Sequence, residues 1–439
     1  MQIRVVKDSQ TVLQYPSTET KRFGRAISDL MLANIFPWVV VRYVINDDYA
    51  RVSMKTINYN IKPRSWTWDN DNFQVNQIGH PFHGSLFYNS FRSNGYNFWQ
   101  SIPAPFFGSY IWETFAETQA PSSNDQINTG LGGIIMGEAI HRFISKIING
   151  KSLRFRRQVG EVFSFLIDPM NGFNRLLDGK WGKAPVHTTQ TDASIIKSSF
   201  DIGYRTFSLN PANPLKSGNP GVYGRINLNY DNPSESLKVP FSKMTAVIEF
   251  GQDRQSKLNI VSIDGSLIGW NLSTEKTEHF AVLSANYEYI NNKIFYVGDQ
   301  RIIMNLYSDI GLTKKLSLNT ILGAGPVILA AVPDRYKFNT REYDYGPGLA
   351  IRMGGRLSFM QSFFYNLNYQ GMWTKTINGN TSNYFLHTIT NEIYIKIKPR
   401  CFLSTELGHF VLNGHYKLLP DVYTINSYLR ISFRYMVDL

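Results

Sequence analysis

Apolar and polar side chains alternate with a period of two from about residue 193 to the end of the chain. This pattern runs through "SIIKSSFDIGYR", "VYGRINLNYD", "ITNEIYIKIK" and "SYLRISFRYMVDL". The last stretch places Leu429, Ile431, Phe433, Tyr435, Val437 and Leu439 on one face, opposite Arg430, Ser432, Arg434 and Asp438. Successive side chains of a β-strand point to opposite faces. The C-terminal half is therefore predicted to consist of strands with one apolar and one polar face.

The length of these strands favours a membrane barrel over a soluble sheet. Many of them run to about ten residues or more, whereas strands in soluble proteins average about five or six. Polar turns such as "SLNPANPLKSGNPG" and "NGNTSN" connect them, and no helical period interrupts the series. A bilayer admits only helices and closed barrels, because every backbone group must be hydrogen-bonded. A large soluble β-sandwich or propeller is the alternative, although no blade-length repeat supports a propeller.

The predicted fold class is mainly β with an α-helical N-terminal part. Residues 191–439 are expected to form an antiparallel transmembrane β-barrel of about 12 strands, which is within the range known for such barrels. Residues 1–190 are expected to form a helical domain that plugs the barrel or lies on its periplasmic side. The first residues, "MQIRVVKDSQ", lack the apolar core of a secretory signal. A signal removed from the mature chain and a cytosolic protein are therefore both open at this point.

The composition fits a membrane barrel better than a nucleic-acid-binding protein. Aromatic residues make up 14% of the chain, with 25 Tyr and 29 Phe, and transmembrane barrels carry aromatic girdles at both interfaces. Charged residues make up only 18%, and the net charge of +12 is spread without a block of Lys and Arg. We therefore expect no nucleic acid partner, and we expect basic residues to contact outer-membrane lipid head groups. The single cysteine, Cys401, excludes an intrachain disulfide.

The N-terminal part carries helical signals with polar interruptions. Residues 26–46 predict a helix or a broken helix, but Asp29, Asn34 and Pro37 interrupt its apolar run. We therefore expect no transmembrane helix in this segment. Further along, Ser109 is the expected N-terminal cap of a helix that carries the sequence "YIWETFAET".

The stretch "TGLGGIIMGEAIHRF" predicts a helix that packs closely against another. Its glycines have the spacing of small residues that lets a second backbone approach. On the same helix, Glu138 precedes His141 by three residues and Arg142 by four, so these three side chains can share one face.

Short motifs are spread along the N-terminal part, in the order Asn76-Gln77, His80-Pro81, Gly84, Arg92 to Ser101, Trp112, Glu113, Glu117, Asn124-Asp125, Thr129 to Glu138, and Asp168 to Gly172. In combination they resemble an uncharacterised domain-of-unknown-function family of Gram-negative envelope proteins, over roughly residues 25 to 180. The resemblance implies a location in the outer membrane of a Gram-negative bacterium and a helical domain joined to a barrel. It implies no activity.

The candidate site residues all lie in the N-terminal part. Histidine is scarce, with eight in 439 residues, yet "HPFHG" contains two of them. Of these, His83 is expected to be a packing or surface residue. The candidate catalytic residues are His80, Glu113, Glu117 and Glu138. The candidate binding residues are Arg92, Asp125, His141 and Arg142.

Two kinds of role are open for these residues. A histidine and a carboxylate in reach of each other can perform general acid–base chemistry, and arginine can bind phosphate. Buried carboxylates are costly unless paired, so the alternative is a buried salt-bridge network in which Arg92, His141 and Arg142 are the partners. No HExxH motif, cysteine-rich spacing, phosphate-binding glycine loop or dinucleotide fingerprint occurs. A metal centre would need ligands such as His80, Glu113, Glu117 and Glu138 to converge, and none of these motifs supports one. We therefore expect no metal and no cofactor.

Two functions are consistent with these features of the sequence. The first is an outer-membrane β-barrel whose helical domain plugs or flanks it, and which handles a lipid or small solute, alone or in an envelope protein complex. This function predicts that apolar strand faces meet lipid and charged faces line the lumen. The alternative is an envelope hydrolase that acts on a lipid or glycan. It predicts that His80, Glu113, Glu117 and Glu138 converge on an open cleft.

Overall fold

The computed structural model of the protein describes residues 20–149, 154–183, 194–209, 218–252, 256–274 and 277–438. The chain divides into two units, a helical unit that ends at Ala193 and a barrel unit that begins at Ser194. The predicted domain boundary, between residues 190 and 191, lies outside the described residues.

The described helices of the helical unit are α1 (Phe23–Val39), α2 (Met54–Asn60), α3 (His80–Arg92), α4 (Phe98–Ser101), α5 (Pro103–Ile111), α6 (Ser123–Ile127), α7 (Gly133–Asn149), α8 (Arg154–Ile167) and α9 (Pro169–Leu177). They are extended or joined by π-helical turns at Val40–Ile45, Val75–Gly79, Trp112–Ala116 and Asn128–Gly132. Such wide turns are rare inside helices and are frequent at functional sites.

Helices α3 and α7 approach each other closely at glycines. A Cβ atom on Gly84 would lie 2.9 Å from the Cα atom of Gly133, and one on Gly137 would lie 2.7 Å from the ring of Tyr88. Neither position leaves room for a methyl group. The small residues of "TGLGGIIMG" therefore allow the close approach that their spacing predicts.

The start of α5 differs from the prediction. Ser109, the expected cap, lies inside α5, which begins six residues earlier at Pro103. Proline is favoured in the first turn of a helix because its missing N–H would have no intrahelical partner there. The proline therefore determines where this helix begins, and Ser109 is one of its buried residues.

Helix α1 and the π-helical turn after it form one apolar segment, Phe23–Ile45. By length and composition this segment of 23 residues could cross a membrane, since a window of 18 of its residues has a mean hydropathy of 1.3. Its polar residues Asp29 and Asn34 lie on the buried face. There Asp29 accepts hydrogen bonds from the side-chain amides of Asn94 and Asn174, at 2.7 and 2.6 Å. The polar interruptions therefore connect α1 to the rest of the helical unit.

The described strands of the barrel unit are β1 (Ile195–Leu209), β2 (Asn219–Asp231), β3 (Lys243–Gly251), β4 (Leu258–Asn271), β5 (Glu278–Asn291), β6 (Tyr296–Thr313), β7 (Leu316–Phe338), β8 (Arg341–Phe359), β9 (Phe363–Lys375), β10 (Ser382–Lys398), β11 (Cys401–Tyr416) and β12 (Val422–Asp438). Each pairs antiparallel with its sequence neighbours, and β1 pairs with β12 to close the ring. At this closure Ile202 lies opposite Phe433. The structure confirms the predicted closed antiparallel barrel of 12 strands.

The strands direct apolar side chains outward and charged side chains inward. On β12, Ile431 and Phe433 are 48% and 44% exposed, whereas Arg430 and Arg434 are 2% and 8% exposed. Other strands show the same arrangement, and their exposed apolar residues include Leu349, Ile351, Met353, Ile393, Ile395, Leu403 and Leu407. A soluble sheet would bury these apolar residues and expose the charged ones.

Ion pairs connect strands that are far apart around the ring. Arg352 on β8 lies 2.5 Å from Asp264 on β4, and three strands separate β4 from β8. Arg430 on β12 lies 2.8 Å from Glu249 on β3, across β1 and β2. The charged inner faces of the strands are therefore linked to one another through the lumen.

At one end of the barrel, two aromatic side chains stack across the ring. Phe295, in the connection between β5 and β6, stacks on Phe410 of β11 with the ring centroids 4.7 Å apart. Close by, the side chain of Asn426 on β12 donates a hydrogen bond to the carbonyl of Ile294 at 2.7 Å. The β5–β6 connection therefore folds over this end and contacts strands on the other side of the ring.

Candidate functional site

Two π-helical turns and a short helix position the central residues of the candidate site. His80 is the first residue of α3 and directly follows the turn Val75–Gly79. Glu113 lies in the turn Trp112–Ala116, and Asp125 lies in α6. The wide turns place these side chains where a regular helical repeat would not.

His80, Glu113 and Asp125 form a compact group that we call the His80 cluster. One potential ligand atom of each residue lies within 4.8 Å of those of the other two. Within the group, Nε2 of His80 is 3.4 Å from Oδ1 of Asp125. Glu113 and Asp125 are buried, at 2% and 3% exposure, and the His80 side chain is 11% exposed.

Hydrogen bonds from neighbouring groups fix the orientation of the His80 cluster. Nδ1 of His80 is hydrogen-bonded to Oγ1 of Thr129 at 3.2 Å. Its Nε2 is therefore the ring nitrogen that faces the carboxylates. Glu113 accepts a hydrogen bond from the backbone N–H of Ser122 at 2.9 Å.

Asp69 lies beside the His80 cluster and was not predicted. Its Oδ1 accepts hydrogen bonds from the side-chain amides of Asn76 and Asn124, at 2.9 and 2.6 Å. Asn124 also donates to Oδ1 of Asp125 at 3.0 Å and so links the two carboxylates. The sequence signal for Asp69 is the short acidic stretch "WDND", which lies in a region without helical or strand periodicity.

Glu117 borders the His80 cluster. Its Oε1 accepts a hydrogen bond from Nε1 of Trp112 at 2.5 Å. The backbone of Glu117 is extended, so the residue ends the π-helical turn and does not continue the face on which Glu113 lies.

Burial and like charge shift the pKa values of this region toward neutral forms. Burial, with Glu117 nearby, raises the pKa of Glu113 well above its usual value. Burial also raises the pKa of Asp125 well above its usual value, and the negative charges of Asp69 and Glu113 add to this effect. Burial raises the pKa of Glu117 to about 7 and lowers that of His80 to about 4. Without a cation, these groups are therefore more stable uncharged than charged.

The second histidine of "HPFHG" has a packing role, as expected. Nε2 of His83 donates a hydrogen bond to the carbonyl of Ala33 at 2.9 Å. Its ring lies against those of Phe87 and Trp112, with centroid distances of 4.4 and 4.8 Å. Burial lowers the pKa of His83 to about 4, so the ring is neutral.

Glu138 belongs to a separate network. Nε of Arg92 and Nε of Arg142 lie 2.7 and 2.8 Å from its two oxygens, and the hydroxyl of Tyr88 donates to Oε2 at 2.8 Å. Burial opposes the ionisation of Glu138, but the two arginines outweigh it and lower the pKa to about 2. His141 lies nearby, and its buried Nδ1 has no hydrogen-bond partner among the described residues. This network has the form of the predicted structural salt bridge.

The predicted site residues therefore fall into two groups. His80, Glu113, Glu117 and Asp125 lie in or beside the His80 cluster, and Arg92, Glu138, His141 and Arg142 form or adjoin the arginine network. The hydrolase hypothesis places Glu138 with His80, whereas in the structure its partners are arginines. Sequence reasoning missed Asp69 and Tyr88. The catalytic and binding roles themselves stay predictions.

The barrel lumen contains a polar cavity of about 220 Å³. Its lining comes from six strands and includes Thr245, Asp264, Asn319, Arg356, Asn366 and Asn368. Nε of Arg356 donates a hydrogen bond to Oδ1 of Asn366 at 2.9 Å. This arrangement offers both hydrogen-bond donors and acceptors to a molecule in the cavity.

These features define the class of the protein as a closed, 12-stranded antiparallel β-barrel with a helical N-terminal unit. Residues 65–170 match the family described as "Domain of unknown function (DUF3943)". All eight predicted site residues lie within this range. No curated protein matches the chain.

Several solved outer-membrane structures are similar to this protein. An outer membrane channel from Pseudomonas putida F1 is 10% identical with a TM-score of 0.33, over 57% of this chain and 97% of the channel. The NanC porin is 9% identical with a TM-score of 0.30, over 53% of this chain and 98% of the porin. The KdgM porin is 11% identical with a TM-score of 0.26, over 54% of this chain and 98% of the porin. Similarities this low carry no inference about substrates.

Proposed function

We propose that the protein is an outer-membrane β-barrel with a closed lumen that takes up a small polar solute. The observation that carries the proposal is the sidedness of the strands. On β12, Ile431 and Phe433 are exposed, while Arg430 before them and Arg434 after them are buried. In water this arrangement would expose an apolar band around the whole barrel, whereas in a bilayer the same band contacts lipid.

Exposed aromatic residues near both ends of the strands support the membrane location. Phe250, Trp373 and Tyr423 lie near one end of the barrel, and Trp270 and Phe359 lie near the other, with exposures from 41% to 64%. Aromatic side chains form girdles at the two interfaces of transmembrane barrels, where an apolar ring with a polar edge is favourable. The basic side chains outside the lumen would then contact lipid head groups.

The closed lumen favours selective uptake of a solute over an open pore. The Arg352–Asp264 ion pair and the stack of Phe295 on Phe410 both cross the interior. A cavity of about 220 Å³ has room for a solute the size of a monosaccharide and is smaller than typical drug-sized pockets. Its polar lining, with the cation of Arg356, suits a hydroxylated or anionic molecule.

Membrane insertion is tested first. The full chain is expected to stay with the membrane fraction after a urea wash and to migrate faster on a gel when unheated than when boiled, because a closed barrel resists unfolding by detergent. A protein that the urea wash releases, and whose migration heating does not change, would contradict the membrane location.

The closed lumen is tested by swelling of lipid vesicles that contain the full chain. Arabinose is expected to pass slowly, and raffinose, a trisaccharide, is expected not to pass. Arg352→Ala removes an ion pair that crosses the lumen and should speed the passage of arabinose. Arg335→Ala, at an exposed arginine, is the matched control and should leave the rate unchanged. Free passage of raffinose into vesicles with the unmodified protein would show an open pore and overturn the proposal.

The hydrolase alternative gains no support from the matched family, whose function is unknown. A role in an envelope protein complex stays a prediction, since no observation on the described residues bears on it.

A further inference from the structure

We propose that the His80 cluster binds one divalent transition-metal ion, of the Zn²⁺ or Mn²⁺ kind. The ligands are Nε2 of His80 and one carboxylate oxygen each from Glu113 and Asp125. This site lies in the helical unit and is independent of the proposed barrel function. It also replaces the sequence-based expectation of no metal, which rested on the absence of a known metal-binding motif.

The first support is the geometry of His80. Its Nε2 lies 3.4 Å from Oδ1 of Asp125, yet it makes no hydrogen bond with a described residue. Nδ1 is held by Thr129 at 3.2 Å. A metal-binding histidine commonly has one ring nitrogen held by a neighbour in this way, which fixes the ring orientation and leaves the other nitrogen for the metal.

The second support is the environment of Glu113. This carboxylate is 2% exposed and accepts a hydrogen bond from the backbone of Ser122, but no described lysine or arginine forms an ion pair with it. Glu138 is equally buried, and two arginines neutralise it. Buried carboxylates are paired with a cation, bind a metal or become protonated. A metal ion would supply to Glu113 the positive charge that Glu138 receives from arginines.

The ligand set indicates the class of metal. One imidazole nitrogen and two carboxylate oxygens suit Zn²⁺ and Mn²⁺, whereas Ca²⁺ and Mg²⁺ prefer oxygen ligands alone. The 3.4 Å between Nε2 of His80 and Oδ1 of Asp125 is compatible with an ion held about 2.0–2.2 Å from each of these atoms. Asp69 and Glu117 border the cluster, and their carboxylates favour a cation there.

The ion would connect three separate segments of the chain. His80 begins α3, Glu113 lies in the turn after α5, and Asp125 lies in α6. With three protein ligands, coordination positions remain for water or another small molecule. The site would therefore stabilise the helical unit and could also bind an exchangeable ligand.

Metal binding by the full chain in detergent is the direct test. The protein is treated with EDTA, dialysed against ZnCl₂ or MnCl₂, and analysed for bound metal by mass spectrometry. Metal that His80→Ala still binds is counted as non-specific binding. After this amount is subtracted, we expect the unmodified protein to bind one ion per chain. Both variants should weaken binding by roughly tenfold or more, since His80→Ala removes a ligand atom and Glu113→Gln removes the negative charge of a ligand.

Glu117→Gln is the matched control, because it changes a carboxyl group beside the cluster that is not a ligand. It should keep one ion per chain, with a small loss of affinity from the lost negative charge. Glu113→Gln retains an oxygen that can accept from Ser122, and an unchanged near-UV circular dichroism spectrum would show that it folds. The proposal is overturned if the unmodified protein binds neither ion at micromolar concentrations, or if folded Glu113→Gln binds as the unmodified protein does.

Discussion

The barrel lumen and the His80 cluster both bury carboxylates, but they compensate the charge differently. In the lumen, Glu249 contacts three arginine side chains at 2.6 to 2.8 Å. In the His80 cluster, Glu113 has a single hydrogen-bond donor among the described residues, the backbone N–H of Ser122. A buried charge is stable only when it is paired, hydrogen-bonded or bound to a metal. The charge of Glu249 is therefore compensated by arginines, whereas Glu113 has no such partner among the described residues and is stable only with a proton or a cation.

The arginine network around Glu138 extends this comparison within the helical unit. Glu138 and Glu113 lie in the same unit, and both are almost completely buried. Arg92 and Arg142 neutralise Glu138, so its pKa falls, while burial and neighbouring carboxylates raise the pKa of Glu113. Burial alone therefore does not identify a functional carboxylate. The presence or absence of a cationic partner is the distinguishing feature.

The largest expected effect is in the lumen. Glu249→Gln leaves Arg205, Arg225 and Arg430 without the carboxylate that they share. Breaking a buried ion pair from one side costs about 3–5 kcal/mol. The free energy of unfolding in urea should fall by that amount. Glu278→Gln, at an exposed strand end, is the control and should leave it unchanged.

Glu138→Gln should also destabilise the protein, by about 3 kcal/mol, because Arg92 and Arg142 would then be buried without a counter-charge. The glutamine has nearly the same shape and still offers an oxygen to the hydroxyl of Tyr88. The loss of stability would therefore come from the missing negative charge. Chemical unfolding followed by tryptophan fluorescence measures it. An unchanged midpoint would show that the arginines are satisfied elsewhere and would weaken the contrast with Glu113.

Gly133→Ala tests the close approach of α3 and α7, on which the position of His80 depends. The added methyl group would lie 2.6 Å from the Cα atom of Gly84, and overpacking of this kind costs about 2 kcal/mol. Gly24→Ala is the opposite control, since no atom lies within 4 Å of its added Cβ and alanine favours a helix by about 0.5–1 kcal/mol. Thermal unfolding should therefore shift down for the first variant and up for the second.

A smaller effect concerns the pH dependence of the helical unit. Burial, and then the charge of Asp29, raises the pKa of Asp168 to about 7, against the effect of its hydrogen bond from the N–H of Asn171. Because the folded state holds this proton more tightly than the unfolded state, stability falls as pH rises from about 4 through about 7. The slope is at most about 1.4 kcal/mol per pH unit for one proton.

Asp168→Asn keeps a side chain that can cap α9 and removes this titration. The stability of the variant relative to the unmodified protein should therefore increase between pH 5 and pH 7, as measured by urea unfolding at each pH. A difference that is constant with pH would show that Asp168 is ionised throughout and would contradict the expected shift.

The barrel was predictable because the alternation of apolar and polar side chains is visible within each short stretch of sequence. Period-two alternation fixes which side chains share a face, and "SYLRISFRYMVDL" alone separates Ile431 and Phe433 from Arg430 and Arg434. The number of strands followed from counting such stretches. The ion-pair partner of each arginine could not be predicted in this way, because partners such as Arg352 and Asp264 are 88 residues apart and meet only when the ring closes.

The candidate site was predictable in composition but not in arrangement. The residue types and their helical context pointed to His80, Glu113 and Asp125, yet the sequence placed Glu138 in the same group. The π-helical turns decide the outcome, because each changes the direction of the side chains that follow it by an amount that a regular helical repeat does not give. Asp69 was missed because it lies in a segment with no periodicity.

The most direct test of this difference in charge compensation compares Glu113→Gln with Glu138→Gln in the presence of EDTA. Glutamine mimics a protonated glutamate, and burial keeps the pKa of Glu113 high when no cation is bound. Urea unfolding should therefore show no loss of stability, or a small gain, for Glu113→Gln, beside a loss for Glu138→Gln. A loss for Glu113→Gln as large as that for Glu138→Gln would show that Glu113 is ionised and already compensated within the protein, and would contradict its need for a proton or a cation.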